Sequence, residues 1–170
     1  PVTELCTGVD IVRDMISVAG GNALPYKQSD IKIQGSAIEC RIYAEDPANN
    51  FMPSPGIIRV REVPEGRNIR LDSSVYAGFE VSLHYDSMIA KICTWGRTRK
   101  SAISSMQRAL REYKMLGIKT TIPFHQRVLM NEAFLKGDYD TTFIDTRFDK
   151  EDLKKKKSSD PTISIITAAL

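Results

Sequence analysis

The run Ala37–Pro47 contains three polar side chains that together could bind a ligand, Glu39, Arg41 and Tyr43. Apolar residues alternate with them, which predicts a half-buried strand that points all three polar side chains to one face. A guanidinium held beside a carboxylate and a phenol can grip a small planar or anionic ligand, because its donors form a rigid fork. The same side chains can instead form a solvated outer face with an ordinary ion pair, as most charged residues do.

Four blocks of sequence, in the same order along the chain, resemble the C-terminal domain of biotin carboxylases. They are Ala37–Pro47, Phe51–Gly56, Arg70–Ser73 and Tyr85–Lys91. The resemblance begins at Pro1, runs to about Asp145, and points to a biotin carboxylase subunit or to the α chain of a biotin-dependent acyl-CoA or pyruvate carboxylase. It implies an α+β domain in which a small antiparallel β-sheet packs with α-helices.

The resemblance also implies a reaction and a role for Arg41. In the family, ATP and bicarbonate give carboxyphosphate, which yields carbon dioxide, and biotin loses a proton so that its ureido nitrogen can be carboxylated. Negative charge develops on the ureido oxygen of biotin, and Arg41 matches the family arginine that faces this oxygen and contacts bicarbonate. A fixed guanidinium there lowers the barrier as an oxyanion hole does. The alternative for Arg41 is a surface ion pair with Glu39 or Glu45.

Most other catalytic parts of the family are missing from this sequence. The family base is the first glutamate of Glu-His-Pro-Val-Thr-Glu, and this chain starts at the proline of that motif, Pro1. The sequence has no Gly-rich phosphate loop, Walker pattern or paired histidine ligands. We therefore expect a piece of a longer polypeptide that is inactive alone. Biotin, ATP and magnesium are expected in the full-length parent, with none bound tightly to this chain.

The resemblance assigns further residues and partners. Arg70 and Asp86 match positions near the subunit interface of dimeric biotin carboxylases, although the two could instead form an intramolecular pair between strands. Thr141 aligns close to a position near the adenine of ATP, where the family tends to have an apolar residue. The implied partners are an upstream ATP-grasp body, a biotin carboxyl carrier domain, a second copy of the carboxylase, and the carboxyltransferase. A competing hypothesis is a non-catalytic dimerisation or assembly module in which Arg41 is structural.

Composition excludes several other classes of protein. The net charge of the 170 residues is +3, and much of the excess lies in Lys154–Lys157, so the charge gives no case for nucleic-acid binding. No signal peptide or membrane-spanning run is present. Cys40 and Cys93 are expected to be small buried thiols, and a cysteine count of three without metal or redox spacing fits the cytoplasm, or the mitochondrial matrix of a eukaryote. His84 and His125 are isolated and are expected to be structural rather than metal-binding.

Periodicity and turn residues predict the elements that position these side chains. Helices are predicted over Thr3–Ala19, Thr98–Leu116, Pro123–Asn131 and Thr142–Phe148. Strands are predicted over Ile31–Ile33, Ala37–Tyr43, Ile57–Val63, Asn68–Ser73, Phe79–Leu83 and Ile89–Trp95, with a turn at Pro64–Gly66 joining two antiparallel neighbours. The order predicts an α+β fold. We expect residues 1–30 to be a helix and loop from the end of an ATP-grasp region, residues 31–148 to be the C-terminal domain, and residues 149–170 to be a charged linker with the start of a truncated helix at Thr162–Leu170.

Overall fold

The computed structural model of the protein describes residues 1–149 and Leu153. In chain order the strands are β1 (Ser36–Tyr43), β2 (Glu45–Asp46), β3 (Met52–Pro53), β4 (Gly56–Ile57), β5 (Val60–Glu62), β6 (Ile69–Ser73), β7 (Glu80–Val81), β8 (Met88–Gly96) and β9 (Lys114–Leu116). The helices are α1 (Val2–Thr7), α2 (Ile11–Ala19), α3 (Arg99–Glu112), α4 (Ile122–Val128), α5 (Glu132–Lys136) and α6 (Phe143–Thr146). Small antiparallel sheets mixed with helices confirm the predicted α+β class.

A three-stranded antiparallel sheet in the order β1–β8–β6 forms the centre of the fold. The predicted alternation along β1 is confirmed, since Ile38, Cys40 and Ile42 are buried while Glu39 and Arg41 lie on the more accessible face. Strand β8 is buried along most of its length, because it has a paired neighbour on each side. The sheet therefore presents one apolar face to the core and one polar face to the other side.

Helix α3 covers the apolar face of this sheet. It begins after Thr98, whose hydroxyl accepts from the Ser101 N–H at 3.2 Å while the Ser101 hydroxyl accepts from the Thr98 N–H at 3.1 Å. This reciprocal cap satisfies two backbone donors at the start of the helix. The predicted apolar stripe along α3 is confirmed. Its buried residues are Ala102, Ile103, Met106, Ala109 and Leu110.

The single helix predicted over Thr3–Ala19 is wrong, because the segment forms two helices. Gly8 ends α1 in the left-handed region at φ 74°, and its N–H donates to the Glu4 carbonyl at 2.8 Å. Glycine adopts this conformation at little cost, so it commonly ends helices. Asp10 then caps α2 by accepting from the Arg13 N–H at 3.0 Å. The apolar spacing continues through the break and therefore could not reveal it.

Two predicted strand arrangements are also wrong. Ile31–Ile33 does not form a strand. The segments Ile57–Val63 and Asn68–Ser73 do not form a hairpin, because β5 pairs with β9 and β6 pairs with β8. The Pro-Glu-Gly turn between these segments indicates only that the chain changes direction, whereas the true pairing partners lie far along the sequence.

The helix predicted over Thr98–Leu116 ends earlier than expected, at Glu112. The residues after Tyr113 form β9, which pairs antiparallel with β5. Gly117 follows with φ 107°, and a Cβ atom at this position would collide with the Ile57 carbonyl oxygen. Only glycine fits where two backbones approach this closely. The predicted stop at Gly117 is correct in place, but it ends a strand rather than a helix.

The remaining helices follow the prediction in outline. Pro123 lies in the first turn of α4, as expected, and α6 lies inside the predicted Thr142–Phe148 segment, while α5 was not predicted. None of the described helices is long and apolar enough to cross a membrane.

Lys154–Lys157 and Thr162–Leu170 lie outside the described residues, as does most of the predicted linker. The division of the chain at residues 30 and 148 stays a prediction.

Candidate functional site

The side of the central sheet opposite α3 carries the residues predicted to do chemistry. We call this surface the polar face. It consists of Glu39, Arg41, Arg70, Asp72 and Lys91. Arg41 lies opposite Lys91, which lies opposite Asp72, while Glu39 and Arg70 flank the same residue of β8. Because directly opposed residues of antiparallel strands share a face, the sheet brings Arg41 and Arg70 onto one surface.

Arg41 is held by a carboxylate of its own strand. Its Nε donates to Glu39 Oε1 at 3.0 Å, which is one of the ion pairs that the sequence left open as an alternative to catalysis. This hydrogen bond raises the pKa of Arg41, with a smaller contribution from Tyr43 on the same face, so the guanidinium is a permanent cation. The arginine side chain remains 58% exposed. Because the pair uses Nε, it does not engage the two terminal amino groups, which can donate to a ligand.

Glu39 is well placed to fix the guanidinium because its own side chain is only 15% exposed. Burial acts to raise the pKa of Glu39, whereas the hydrogen bond and the positive charge of Arg41 act to lower it. The Cys93 thiol also donates to Glu39 Oε2, at 3.7 Å. An ionised and anchored carboxylate therefore sets the direction of the arginine fork.

Helix α1 covers part of the polar face. Its Glu4 pairs with Arg70 Nη1 at 3.5 Å, and α1 also contacts β1 and β8. Cys93 is fully buried on this side of β8, and burial raises the pKa of its thiol to about 12. The expectation that Cys40 and Cys93 are buried thiols is confirmed, although the two lie on opposite faces of the sheet.

The free edge of β1 is closed by residues at the start of α4. The Thr121 N–H donates to the Tyr43 carbonyl at 3.1 Å, and the Tyr43 N–H donates to Thr121 Oγ1 at 3.0 Å. The Arg41 carbonyl accepts from Thr121 Oγ1 at 3.3 Å and from His125 Nε2 at 2.8 Å. Sequence reasoning missed these contacts, since Thr121 carries no motif and His125 looked isolated. The one available signal was that an edge strand needs partners for its outer backbone groups.

The other predicted site residues lie elsewhere or have different partners. Arg70 donates from Nε to Asp72 at 3.0 Å and pairs with Glu4, and it forms no ion pair with Asp86. Asp86 instead accepts from the Met88 N–H at 2.9 Å, just before β8. Thr141 is exposed in the turn that precedes α6. The interface role of Arg70 and Asp86 and the adenine role of Thr141 stay predictions.

The polar face can supply fixed positive charge to an oxygen atom. Arg41 offers a planar fork of donors, and Lys91 is its cross-strand neighbour. Donors aimed at an oxygen that becomes negative stabilise the transition state more than the ground state. Among residues 1–149 and Leu153, no group of three or more His, Cys, Asp or Glu side chains is arranged to hold a metal ion. The donors of Arg41 and Lys91 are of the type that binds the oxygen atoms of anions.

Comparison with known proteins finds relatives that share most of the length of this chain. A family model described as the biotin carboxylase C-terminal domain matches residues 39–146, a range that includes Arg41. Biotin carboxylase 1 of Bacillus subtilis is 50% identical over 146 residues, which cover 86% of this chain and 32% of the relative. The biotin carboxylase of Haemophilus influenzae is 48% identical over 147 residues, which cover 86% of this chain and 33% of the relative. The chain thus spans about a third of the length of these curated relatives.

Solved structures share the same fold. The biotin carboxylase domain dimer of the Hydrogenobacter thermophilus 2-oxoglutarate carboxylase, in complex with MgADP, ADP and bicarbonate, has a TM-score of 0.84 and 41% sequence identity. The match covers 88% of this chain and 34% of that chain. This chain and the Hydrogenobacter domain are therefore similar in sequence as well as in fold.

Proposed function

The chain belongs to the biotin carboxylase C-terminal domain family, and from that premise we propose that it is the C-terminal part of an ATP-dependent biotin carboxylase. The parent carboxylates the ureido nitrogen of biotin with bicarbonate and ATP. Arg41 binds bicarbonate and stabilises negative charge on the ureido oxygen of biotin. The observation that carries the proposal is the state of Arg41, a permanent cation that Glu39 holds through Nε while 58% of the arginine side chain stays exposed.

The guanidinium suits this task better than an ammonium group. Both bicarbonate and the ureido group are planar and present oxygen acceptors, and the arginine fork can meet two such acceptors in one plane. A lysine at position 41 would offer only a compact point charge. The ion pair with Glu39 orients the guanidinium before the ligand arrives. Less conformational entropy of the arginine side chain is therefore lost when the ligand binds.

Nucleotide chemistry belongs, in this proposal, to the rest of the parent. ATP and magnesium bind an ATP-grasp body that precedes this domain, and the base that deprotonates biotin lies there too. The apolar surface of α2 supports the existence of such a body, because Val12, Met15 and Ile16 are 62%, 66% and 70% exposed. Apolar side chains clustered in this way mark a surface that another structure covers.

The other proposed partners follow from the family. They are a biotin carboxyl carrier domain that delivers biotin, a carboxyltransferase subunit that consumes carboxybiotin, and a second copy of the carboxylase. The Hydrogenobacter domain, which is a dimer with bound bicarbonate, supports the last of these and the anion site. We place the protein in the cytoplasm, or in the mitochondrial matrix of a eukaryote, a location that the free cysteines support.

Substitution of Arg41 in the complete carboxylase tests the proposal. We expect Arg41→Ala to lower kcat for carboxylation of free biotin by about 10²–10³, the usual loss for one charge-stabilising donor. Incorporation of labelled bicarbonate into biotin measures the rate, and thermal unfolding checks that the fold is intact. Arg111→Ala is the matched control, since Arg111 is an exposed residue on α3. Near-normal carboxylation by Arg41→Ala would favour the alternative of a non-catalytic assembly module.

The chain by itself should show no bicarbonate-dependent ATP hydrolysis, because the proposed nucleotide site lies outside it. Purified protein is incubated with ATP, magnesium, bicarbonate and free biotin, and released phosphate is measured. Turnover above that of a heat-denatured sample would contradict this part of the proposal.

A further inference from the structure

We propose that Thr121 and His125 are positioning residues. They hydrogen bond to the main chain of Arg41 and Tyr43 at the edge of β1 and so hold the Arg41 guanidinium in the position that the ligand requires. We call this pair the α4 clamp. The inference rests on the proposed function of Arg41, and it adds two residues to a site that motif comparison confined to β1.

The α4 clamp supplies hydrogen-bond partners to the outer edge of β1, which the order of the strands leaves unpaired. Within the described residues, β1 pairs with β8 alone, so alternate N–H and C=O groups of β1 point away from the sheet. The groups concerned include the Arg41 carbonyl and both backbone groups of Tyr43. Left to water, these groups would have no fixed partner, and only the pairing with β8 would hold this part of β1.

The direction of each hydrogen bond in the clamp follows from the chemistry of its partners. A carbonyl only accepts, so His125 Nε2 must carry the proton that it shares with the Arg41 oxygen at 2.8 Å. Thr121 Oγ1 accepts from the Tyr43 N–H at 3.0 Å, so its own proton is available for the Arg41 carbonyl at 3.3 Å. The Arg41 oxygen therefore has a donor for each of its two lone pairs, and its orientation is defined.

The clamp is itself anchored to the core of the protein. Thr121 is only 3% exposed. Two glutamine amides bind α4 to α3, one from Gln126 to the Leu110 carbonyl and one from Gln107 to the Leu129 carbonyl, each at 2.9 Å. Because α3 packs on the apolar face of the sheet, the clamp connects the edge of β1 to the same rigid body as its centre.

Arg41 is consequently fixed twice, through its side chain by Glu39 and through its main chain by the clamp. The two constraints are independent, since one acts on the polar face and the other on the edge of the strand. A shift of about 1 Å in a catalytic group can cost about 10² in rate. Loss of the clamp should therefore reduce the biotin reaction without any change in the atoms that touch biotin.

The test uses paired variants of the complete carboxylase that keep or remove each hydrogen-bond donor. His125→Gln keeps an N–H donor near the position of Nε2, and His125→Met removes it at similar length. Thr121→Ser keeps the hydroxyl, and Thr121→Val removes it at similar volume. We expect His125→Met and Thr121→Val to lower kcat/KM for biotin by about 10-fold to 100-fold, with the Gln and Ser variants close to wild type. His84→Met, at an exposed histidine, is the control.

Each removal is repeated in an Arg41→Ala background to separate positioning from general stability. A residue that acts through Arg41 should cost nothing further once Arg41 is gone, whereas a merely structural residue should cost the same factor in both backgrounds. Wild-type kinetics in both donor-removed variants, or equal losses in both backgrounds, would overturn the clamp. If His125→Met fails to fold, Thr121→Val carries the same comparison. Normal activity of Arg41→Ala alone would instead overturn the proposed function.

Discussion

At the scale of single residues, the ion pair of Arg41 with Glu39 is compatible with the proposed catalytic role. From the sequence, the surface ion pair and the catalytic role were alternatives, because a pair with Glu39 explains the charge pattern without any ligand. In the structure, Nε is the guanidinium nitrogen that donates to Glu39. A carboxylate that binds the stem side of the fork orients it and leaves donors for a substrate, so the pair supports the proposed role.

His125 should make the stability of the protein sensitive to acid. Burial lowers the pKa of His125, and the hydrogen bond to the Arg41 carbonyl opposes this only in part. The unfolded chain, where the ring titrates near about pH 6.5, therefore takes up the proton first, and stability present above that pH is lost as the pH falls towards the folded pKa. We expect His125→Gln, which does not titrate, to lose less stability than wild type between neutral pH and about pH 5.

Urea denaturation of the protein at the two pH values measures this difference. His84→Gln serves as the control, because that histidine is exposed. An unchanged loss of stability in His125→Gln would mean that protonation of His125 does not differ between the folded and unfolded states.

Local sequence information was sufficient for part of the site and insufficient for the rest. The alternation along β1 is a property of neighbouring residues, so it correctly assigned Glu39 and Arg41 to one face. Thr121 and His125 reach Arg41 only because α4 returns to the edge of β1. Neither residue has a spacing that signals such a contact, and tertiary packing alone brings them to the site.

At the scale of elements, the structure distinguishes patterns that are local from pairings that are not. The buried stripe of α3 followed directly from helical spacing. The partners of β5 and β6 did not, because a turn between two segments says nothing about which distant strand each will meet. Gly8 similarly divides a stretch whose apolar spacing is continuous, and only the preference of glycine for positive φ marks the break.

Gly117, which directly follows β9, should not tolerate a side chain. Gly117→Ala introduces a side chain at φ 107° and a collision with the Ile57 carbonyl oxygen, and we expect it to lower the free energy of unfolding by about 2–4 kcal/mol. Gly78→Ala is the matched control, since Gly78 has φ 95° but no heavy atom within 4 Å of the added Cβ. Urea denaturation measures both variants. Equal losses would show that backbone conformation alone, and not the close approach, sets the requirement for glycine.

At the scale of the whole molecule, the domain has two surfaces that suggest neighbours. The apolar residues of α2 suit the proposed ATP-grasp body, and Arg70 lies where the family resemblance expects a subunit boundary. Sequence motifs predicted the second surface and helical spacing predicted apolar residues in the first.

Reversal of charge at Arg70 tests the proposed subunit boundary. In the complete carboxylase, Arg70→Glu should weaken the dimer, because like charges would face each other across the boundary while Asp72 and Glu4 lose their partner. Sedimentation at several concentrations measures the dimer. Arg108→Glu is the control, since Arg108 is similarly exposed and pairs with Glu112 within α3. Equal dimerisation of wild type and Arg70→Glu would make Arg70 a purely intramolecular residue.

The position of β8 in the sheet also sets the order in which the protein can assemble during synthesis. β1 and β6 both hydrogen bond to β8 and not to each other, and the first residue of β1, Ser36, pairs with the last of β8, Gly96. A nascent chain therefore cannot complete the pairing of β1 until Gly96 has left the ribosome, and the edge of β1 stays open until Thr121 and His125 follow. Closure over such long loops is slow, and exposed strands aggregate while they wait. The emergence first of β8 and then of α4 thus sets when the exposed strands of this domain are protected from aggregation.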